Sequence, residues 1–285
     1  MKPLEPVPPC KFTSAVDSDP YLNAEFVKQQ ARELVKSSGM EKPPFSIERL
    51  AMLQGIKKII RTDLGRLDAL LIKLEEGYLI KLNCMRPSYR QNFSCAHEII
   101  HTFFDDPNIT LRRRSRVDSS TSMTCRETEE ALCDIGAAEL LMPEAIFRQY
   151  ASNYSSCSAA LQPLARSFGV SIQAVAIRLT EIKKEPCIAT CWNFRDRPGS
   201  DKRKLRVMWA AQPKGVIGVR HYYVPRDASI AQNSSVFHAY ETDAYTGDFQ
   251  ILRLGSLRGR YYIESKGFGS GARRYVISFV HLNSS

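Results

Sequence analysis

Two histidines four residues apart constrain this chain more than any other feature. They stand in His97-Glu98-Ile99-Ile100-His101, within a segment whose apolar residues Phe93, Ala96, Ile100, Phe103 and Phe104 recur at helical spacing. On a helix, positions i and i+4 lie one above the other, so both imidazoles leave the same face and can grip one Zn²⁺. Glu98 sits about 100° round the helix from His97, beside the position where such an ion keeps a water, and can accept that water's proton. Isoleucine and phenylalanine flank both histidines, which argues for a half-buried pair rather than a solvated one.

Two imidazoles do not complete a zinc site, so a third ligand is needed. The longer His-Glu-x-x-His-x-x-Gly-x-x-His form fails, because Phe104 stands in the glycine place and Pro107 in the last histidine place. The next predicted helix, opened by a Thr124/Glu127 capping box, offers Glu127, Glu129, Glu130 and Asp134. Glu130 and Asp134 share a face at i and i+4, so Glu130 can ligate while Asp134 accepts the N–H of a ligand imidazole. Glu127 is expected to serve the cap, and Glu129, 100° away, to point elsewhere. Gly136, Ala137 and Ala138 are small enough for this helix to approach the first closely. The same acids would also suit a solvated helix N-terminus stabilised by the macrodipole.

Around this pair the pattern predicts an α+β chain. Residues 1–20 are Pro-rich and read as a flexible tail. Helices are expected over 21–40 and from Ser46 to Gly55, then strands 57–63, 68–74 and 78–83. A Ser88/Gln91 capping box opens the histidine helix, and 107–123 reads as irregular, with Arg112, Arg113, Arg114 and Arg116 suited to steering an acidic segment or simply solvated. After short helices to about 184, strands and turns take over, and Trp192, Trp209, Tyr222, Tyr223, Tyr261 and Tyr262 are expected to fill a sheet core. The expected division is 1–20 tail, 21–150 metal domain, 151–185 helix-turn-helix-like segment and 186–285 β-rich domain.

Charge is uneven. The 285 residues carry a net +10, yet residues 186–285 hold 15 Lys+Arg against 7 Asp+Glu. Such asymmetry suits an acidic partner or scattered solvated charge. The eight cysteines include no C-x-x-C pair, so reduced, buried thiols are expected rather than a disulfide framework. No run approaches ~18 apolar residues, and the first fifteen residues make a poor secretory signal, so a cytoplasmic protein without a membrane span is expected.

The segments Arg90-Gln91-Asn92-Phe93-Ser94-Cys95-Ala96-His97-Glu98-Ile99-Ile100-His101 and Glu130-Ala131-Leu132-Cys133-Asp134-Ile135-Gly136-Ala137-Ala138-Glu139-Leu140-Leu141-Met142-Pro143 resemble the ImmA/IrrE metallopeptidases. Their pattern is an R-x-x-F-x-x-A-H-E-x-x-H helix followed by E-x-x-A-N-x-x-A-A-x-L-L-M-P. Cys133 replaces the usual Ala and Asp134 the usual Asn. The resemblance, specific in these two helices and loose elsewhere over about 45–185, implies a zincin-like minimal peptidase domain. It carries His97, His101 and Glu130 over as ligands of Zn²⁺ (or Mn²⁺), and Glu98 as general base. It also implies cleavage of a helix-turn-helix repressor, switching on stress or mobile-element genes, and, in the radiation-response branch, a sensor-like domain after the helical segment.

Tyr89, Tyr150 and Tyr154 are candidate oxyanion donors. Ala165, Gly169 and Val175 have helix-turn-helix offsets, with Gln173 and Arg178 the polar residues available to meet DNA, though Ile172, Ala174, Ala176 and Ile177 make a poor base-reading set. The rival to a monomeric peptidase is therefore a DNA-binding transcriptional regulator whose metal site is structural or vestigial.

Overall fold

The computed structural model describes residues 20–104, 111–114, 125–183, 185–197, 200–212 and 222–282. The chain folds as two compact units, Met1–Phe147 with Arg166–Ser171, and Arg148–Ala165 with Ile172–Ser285.

The first unit begins with α1 (Pro20–Ser37) and α2 (Ile47–Leu53), the latter capped by Ser46, whose Oγ accepts from Arg49 N at 3.3 Å. Strands β1 (Ile56–Thr62), β2 (Ala69–Lys73) and β3 (Tyr78–Asn83) follow, then α3 (Ser88–His101), β4 (Leu111–Arg114) and α4 (Cys125–Leu141); α5 (Glu144–Ala151) begins in this unit and ends in the other. The sheet order is β1-β3-β2-β4, with β1 parallel to β3 and the other pairs antiparallel. Ala69, Leu71, Ile80 and Leu82 are buried on one face, whereas Leu70 and Ile72 on the other face of β2 are only half-buried.

Two local expectations change. The cap of α3 is Pro87, not Ser88: Pro87 has φ −56°, Arg90 N and Gln91 N both donate to its carbonyl, and Gln91 Nε2 reaches back to Arg86 O at 2.8 Å. Proline suits this start because its missing N–H leaves no orphan donor. Leu111–Arg114, placed in the irregular stretch, form an edge strand that pairs with Ile72–Ala69 of β2. Arg116 and Thr124, and the side chain of Glu127, lie outside the described residues.

Helix α3 is tied to the sheet by its first turn. The carboxylate of Asp68, just before β2, accepts from Arg86 Nε at 2.8 Å and from Arg90 Nη2 at 2.7 Å. The two guanidiniums outweigh partial burial and hold Asp68 below the ordinary aspartate range. Arg90, known from the sequence only as part of the helix motif, thus fixes where α3 starts.

Helix α4 lies against both α1 and α3. Gly136 makes this possible: a Cβ there would stand 2.7 Å from Val27 Cγ1 of α1 and 2.9 Å from Ile100 Cδ1 of α3. One turn on, the fully buried Glu139 accepts from Arg32 Nε of α1 and from Glu144 N, each at 2.9 Å. The small residues of α4 let it approach closely, and a buried carboxylate, charge-paired with Arg32, sets its register against α1.

In the second unit lie α7 (Ile172–Ile182), β5 (Cys187–Arg197), β6 (Ser200–Ala211), α8 (Ser235–Thr242), β7 (Tyr245–Leu254), β8 (Leu257–Phe268) and β9 (Tyr275–His281). The strands form one antiparallel sheet in the order β6-β5-β9-β8-β7. Its core gathers Trp192, Leu205, Val207, Leu252, Leu254, Ile263, Val276 and Val280 with Val236 and Ala239 of α8. The expected aromatic core is only partly right. Trp192 is buried there, and Tyr222 and Tyr261 pack at its margin. Trp209 is half-buried, Tyr223 is exposed, and Tyr262 faces the other side of the sheet. Residues 215–221 lie outside the described residues, and Tyr222–Val224 is not a strand.

The helix-turn-helix offsets fall on α6 (Cys157–Phe168), Gly169 and α7. Gly169 has φ +65°, the left-handed conformation a side chain resists, and its carbonyl accepts from Asn92 Nδ2 of α3 at 3.1 Å. Arg178 is not available on an exposed face: it is buried and bonded to Glu181 at 2.8 Å. Gln173 remains exposed.

Candidate metal centre

Helix α3 carries His97, Glu98 and His101 at its buried C-terminal half, each about 1% exposed. The two imidazoles stand with ring centroids 4.8 Å apart and planes at 73°. Packing of α3 on α4 around Gly136 brings a row of acids to them.

Each ring nitrogen has an assigned neighbour. Nε2 of His97 lies 3.1 Å from Glu130 Oε2, and Nε2 of His101 lies 3.5 Å from Glu130 Oε1. One carboxylate thus faces both Nε2 atoms. On the outer side, His97 Nδ1 meets Asp134 Oδ1 at 2.9 Å, and His101 Nδ1 meets Glu129 Oε1 at 3.0 Å and Cys133 Sγ at 3.3 Å. Residues 129/133 and 130/134 therefore form two adjacent i,i+4 stripes on α4. The first serves His101, while the second serves His97 and shares Glu130 with His101.

Glu129 corrects the sequence expectation that it points elsewhere. Two adjacent helix positions cannot face one point, but an imidazole offers two nitrogens in different directions. His101 turns Nε2 to Glu130 and Nδ1 to Glu129, spanning the 100° between them. Cys133, which stands where the resembled family has alanine, is likewise a neighbour of His101. The spacing Glu129/Cys133, identical to Glu130/Asp134, was the available signal for both.

The electrostatics follow from this crowding. Burial opposes ionisation of Glu130, but hydrogen bonds from His101 and His97 hold its carboxyl well below the usual range. Burial likewise opposes protonation of His101, yet Cys133, Glu129 and Glu130 together hold its pKa well above the usual imidazole value. Burial pushes the Cys133 thiol up to about 11, so it is a neutral thiol near pH 7.

Two donor sets emerge. One is the Nε2 pair with Glu130; the other is His97, His101 and Cys133, whose ligand atoms lie within 4.8 Å of one another. The first uses equivalent nitrogens of both rings and leaves both Nδ1 atoms to carboxylates that fix tautomer and orientation. The second spends the His101 Nδ1 side, where Glu129 also sits. Two histidines and a glutamate fit a catalytic divalent zinc, which takes three protein donors and leaves a position open. Of the candidate oxyanion donors, Tyr89 lies in the first turn of α3, eight residues before His97, and Tyr150 and Tyr154 belong to the second unit.

Residues 57–180 match the IrrE N-terminal-like domain, a peptidase family. This part of the chain is similar to that family. The IrrE-like region contains every side chain of the cluster, and its first residue falls in β1. Among curated relatives, the radiation response metalloprotease IrrE of Deinococcus deserti is 28% identical over 197 residues, 66% of this chain and 67% of that protein. Its namesake from Deinococcus radiodurans is 30% identical over 119 residues, 41% of this chain and 35% of that protein. The solved structure of a Mycobacterium tuberculosis transcriptional regulator shares the fold, with TM-score 0.55 at 14% identity, covering 90% of this chain and 76% of that one. No helix among the described residues is long and apolar enough to cross a membrane.

Proposed function

We propose that the chain is a zinc-dependent endopeptidase in which His97, His101 and Glu130 hold the ion and Glu98 is the general base. The observation that carries this reading is the single Glu130 carboxylate facing both Nε2 atoms while Asp134 and Glu129 occupy the two Nδ1 atoms. A bound Zn²⁺ supplies Lewis acidity toward the attacking water and the scissile carbonyl. Glu98, beside His97 on α3 and buried, takes the water's proton and delivers it to the leaving amine nitrogen. Asp134 and Glu129 accept the Nδ1–H of their imidazoles and keep Nε2 free of a proton.

The substrate is proposed to be a helix-turn-helix repressor in the cytoplasm, a reading that rests on the family resemblance. The six cysteines whose side chains are described are all free thiols, which suits that compartment. The rival DNA-binding reading is weakened because Arg178, one of two polar residues counted toward base contact, is buried in an ion pair.

The test is the Glu98→Gln variant. It should retain the metal at one ion per chain and its thermal midpoint, and lose at least ~100-fold in cleavage of a co-expressed repressor. Cleavage at the wild-type rate would remove Glu98 from the chemistry. Loss of metal together with loss of cleavage would instead place Glu98 among the ligands.

A further inference from the structure

We propose that the outer sheet face of β7 and β8, in the second unit, binds single-stranded nucleic acid. This surface takes no part in the metal centre. One face of the sheet covers the core with α8. On the opposite face, Cys187 and Ala189 of β5 and Ile277 and Phe279 of β9 are buried. The face is not covered at β7, where Tyr245 and Phe249 are each 45% exposed and Ile251 is 75% exposed. A sheet face turned to water ordinarily carries polar residues, so this departure marks a surface built for contact.

The rings there are ordered. Phe249 pairs in register with Tyr262 and Tyr262 with His281, so three rings stand side by side on three adjacent strands. Their centroids are 5.3 Å apart for Phe249–Tyr262 and 5.7 Å for Tyr262–His281. The guanidinium of Arg260 lies over Phe249, 5.0 Å from its centroid. Arg253 and Arg258 pair with each other at the same end of the two strands, and both are exposed. The one carboxylate that this register places among them, Glu264, is buried and committed to His281 Nε2 and Ser158 N, each at 3.0 Å. The exposed end therefore presents arginine without a facing acid from β7 or β8, in the region that holds 15 Lys+Arg against 7 Asp+Glu.

Charge alone would accept any polyanion. The ring row adds the discrimination: every base has a π-face, and unpaired bases stack on aromatic and guanidinium planes whatever their sequence. A duplex hides those faces, and an acidic polypeptide has none. Sheets that present aromatic side chains from adjacent strands bind single strands in this way.

The experiment uses the full chain and fluorescence anisotropy with labelled 20-nucleotide oligo-dT and oligo-rU, a duplex of the same length, and polyglutamate as a charged competitor. Both single strands should bind, the duplex more weakly, and polyglutamate should compete poorly; a preference between dT and rU identifies which nucleic acid is the natural one. Phe249→Leu, which keeps an apolar side chain but removes the ring, and Tyr262→Ala should each weaken binding by about 5–150-fold, the range for losing one stacked base. Arg258→Ala combined with Arg260→Ala should lower the slope of log affinity against log salt by about 1.4, two phosphate contacts' worth for a single strand. Circular dichroism and thermal midpoints establish that each variant is folded. Absence of oligonucleotide binding, equal competition by polyglutamate, or unchanged affinity in folded Phe249→Leu and Tyr262→Ala would each overturn the proposal. So would a dimer in solution that Phe249→Leu dissociates without affecting oligonucleotide binding, since the face would then belong to a second copy of the chain.

Discussion

Glu129 stands 3.0 Å from Nδ1 of His101, on the opposite edge of the ring from the Nε2 that faces Glu130. Together with Asp134 on His97, it means that both imidazoles are held at their outer nitrogens by acids of one helix. Expected zinc affinities therefore rank in three tiers. Glu130→Ala should lose the most, as removal of a ligand. Glu129→Ala and Asp134→Ala should each lose about 10–100-fold, the usual effect of an outer partner. Glu127→Ala should change little. Competition with a chelating dye measures all four, and a Glu129→Ala affinity equal to wild type would reduce its hydrogen bond to a bystander.

Cys133 offers a sharper discrimination between the two donor sets. With Glu130 as third ligand, cobalt-loaded protein should show no sulfur-to-cobalt charge-transfer absorption, and Cys133→Ala should retain its full complement of metal. A strong charge-transfer band that disappears in Cys133→Ala would replace Glu130 by the thiol.

Gly136→Ala tests the packing that brings the acids to the histidines. Alanine favours a helix by up to ~1 kcal/mol over glycine. Here its methyl would meet Val27 at 2.7 Å and Ile100 at 2.9 Å, and overpacking of this kind costs about 1–3 kcal/mol. The expected result is a lower thermal midpoint and weaker metal binding together. Higher stability with unchanged metal affinity would show that α1 and α3 yield without cost.

The Glu264–His281 pair predicts a pH dependence for the second unit. Burial works against both charges, yet their hydrogen bond lowers the Glu264 pKa and raises that of His281, with Cys157 adding to the rise and Lys183 opposing it. The histidine's contribution is complete below its ordinary 6.5 and is lost as pH rises through the raised folded value. The glutamate's is complete above its ordinary 4.5 and is lost as pH falls through the lowered one. The pair thus stabilises most between those two ordinary values. Urea midpoints of wild type and His281→Gln should differ more near pH 6 than near pH 9. A difference that is constant across this range would leave the pair without a net effect.

What the sequence made legible was what depends on spacing within one helix. The i,i+4 rule places His97 and His101 together, and Glu130 and Asp134 together, with no knowledge of how α3 meets α4. Glu129 was missed because its role depends on which nitrogen His101 turns toward α4, a property of the helix pair. Strand β4 was missed because Arg112-Arg113-Arg114 shows no apolar alternation and is recruited by the open edge of β2. Arg178 was misplaced for a related reason: an arginine buried by tertiary packing and neutralised at i+3 by Glu181 is indistinguishable in sequence from one facing solvent.

The contact of Val27 and Arg32 with α4 bears on where the smallest working piece of this protein can begin. The family match opens at residue 57, yet α1, which braces the acid-bearing helix through Val27 at Gly136 and Arg32 at Glu139, ends twenty residues earlier. A polypeptide cut at the family boundary would keep every proposed ligand while exposing the back of α4 and leaving the Glu139 carboxylate, fully buried in the whole chain, without its guanidinium. The domain that sequence comparison delimits is therefore shorter than the compact unit that α1 completes.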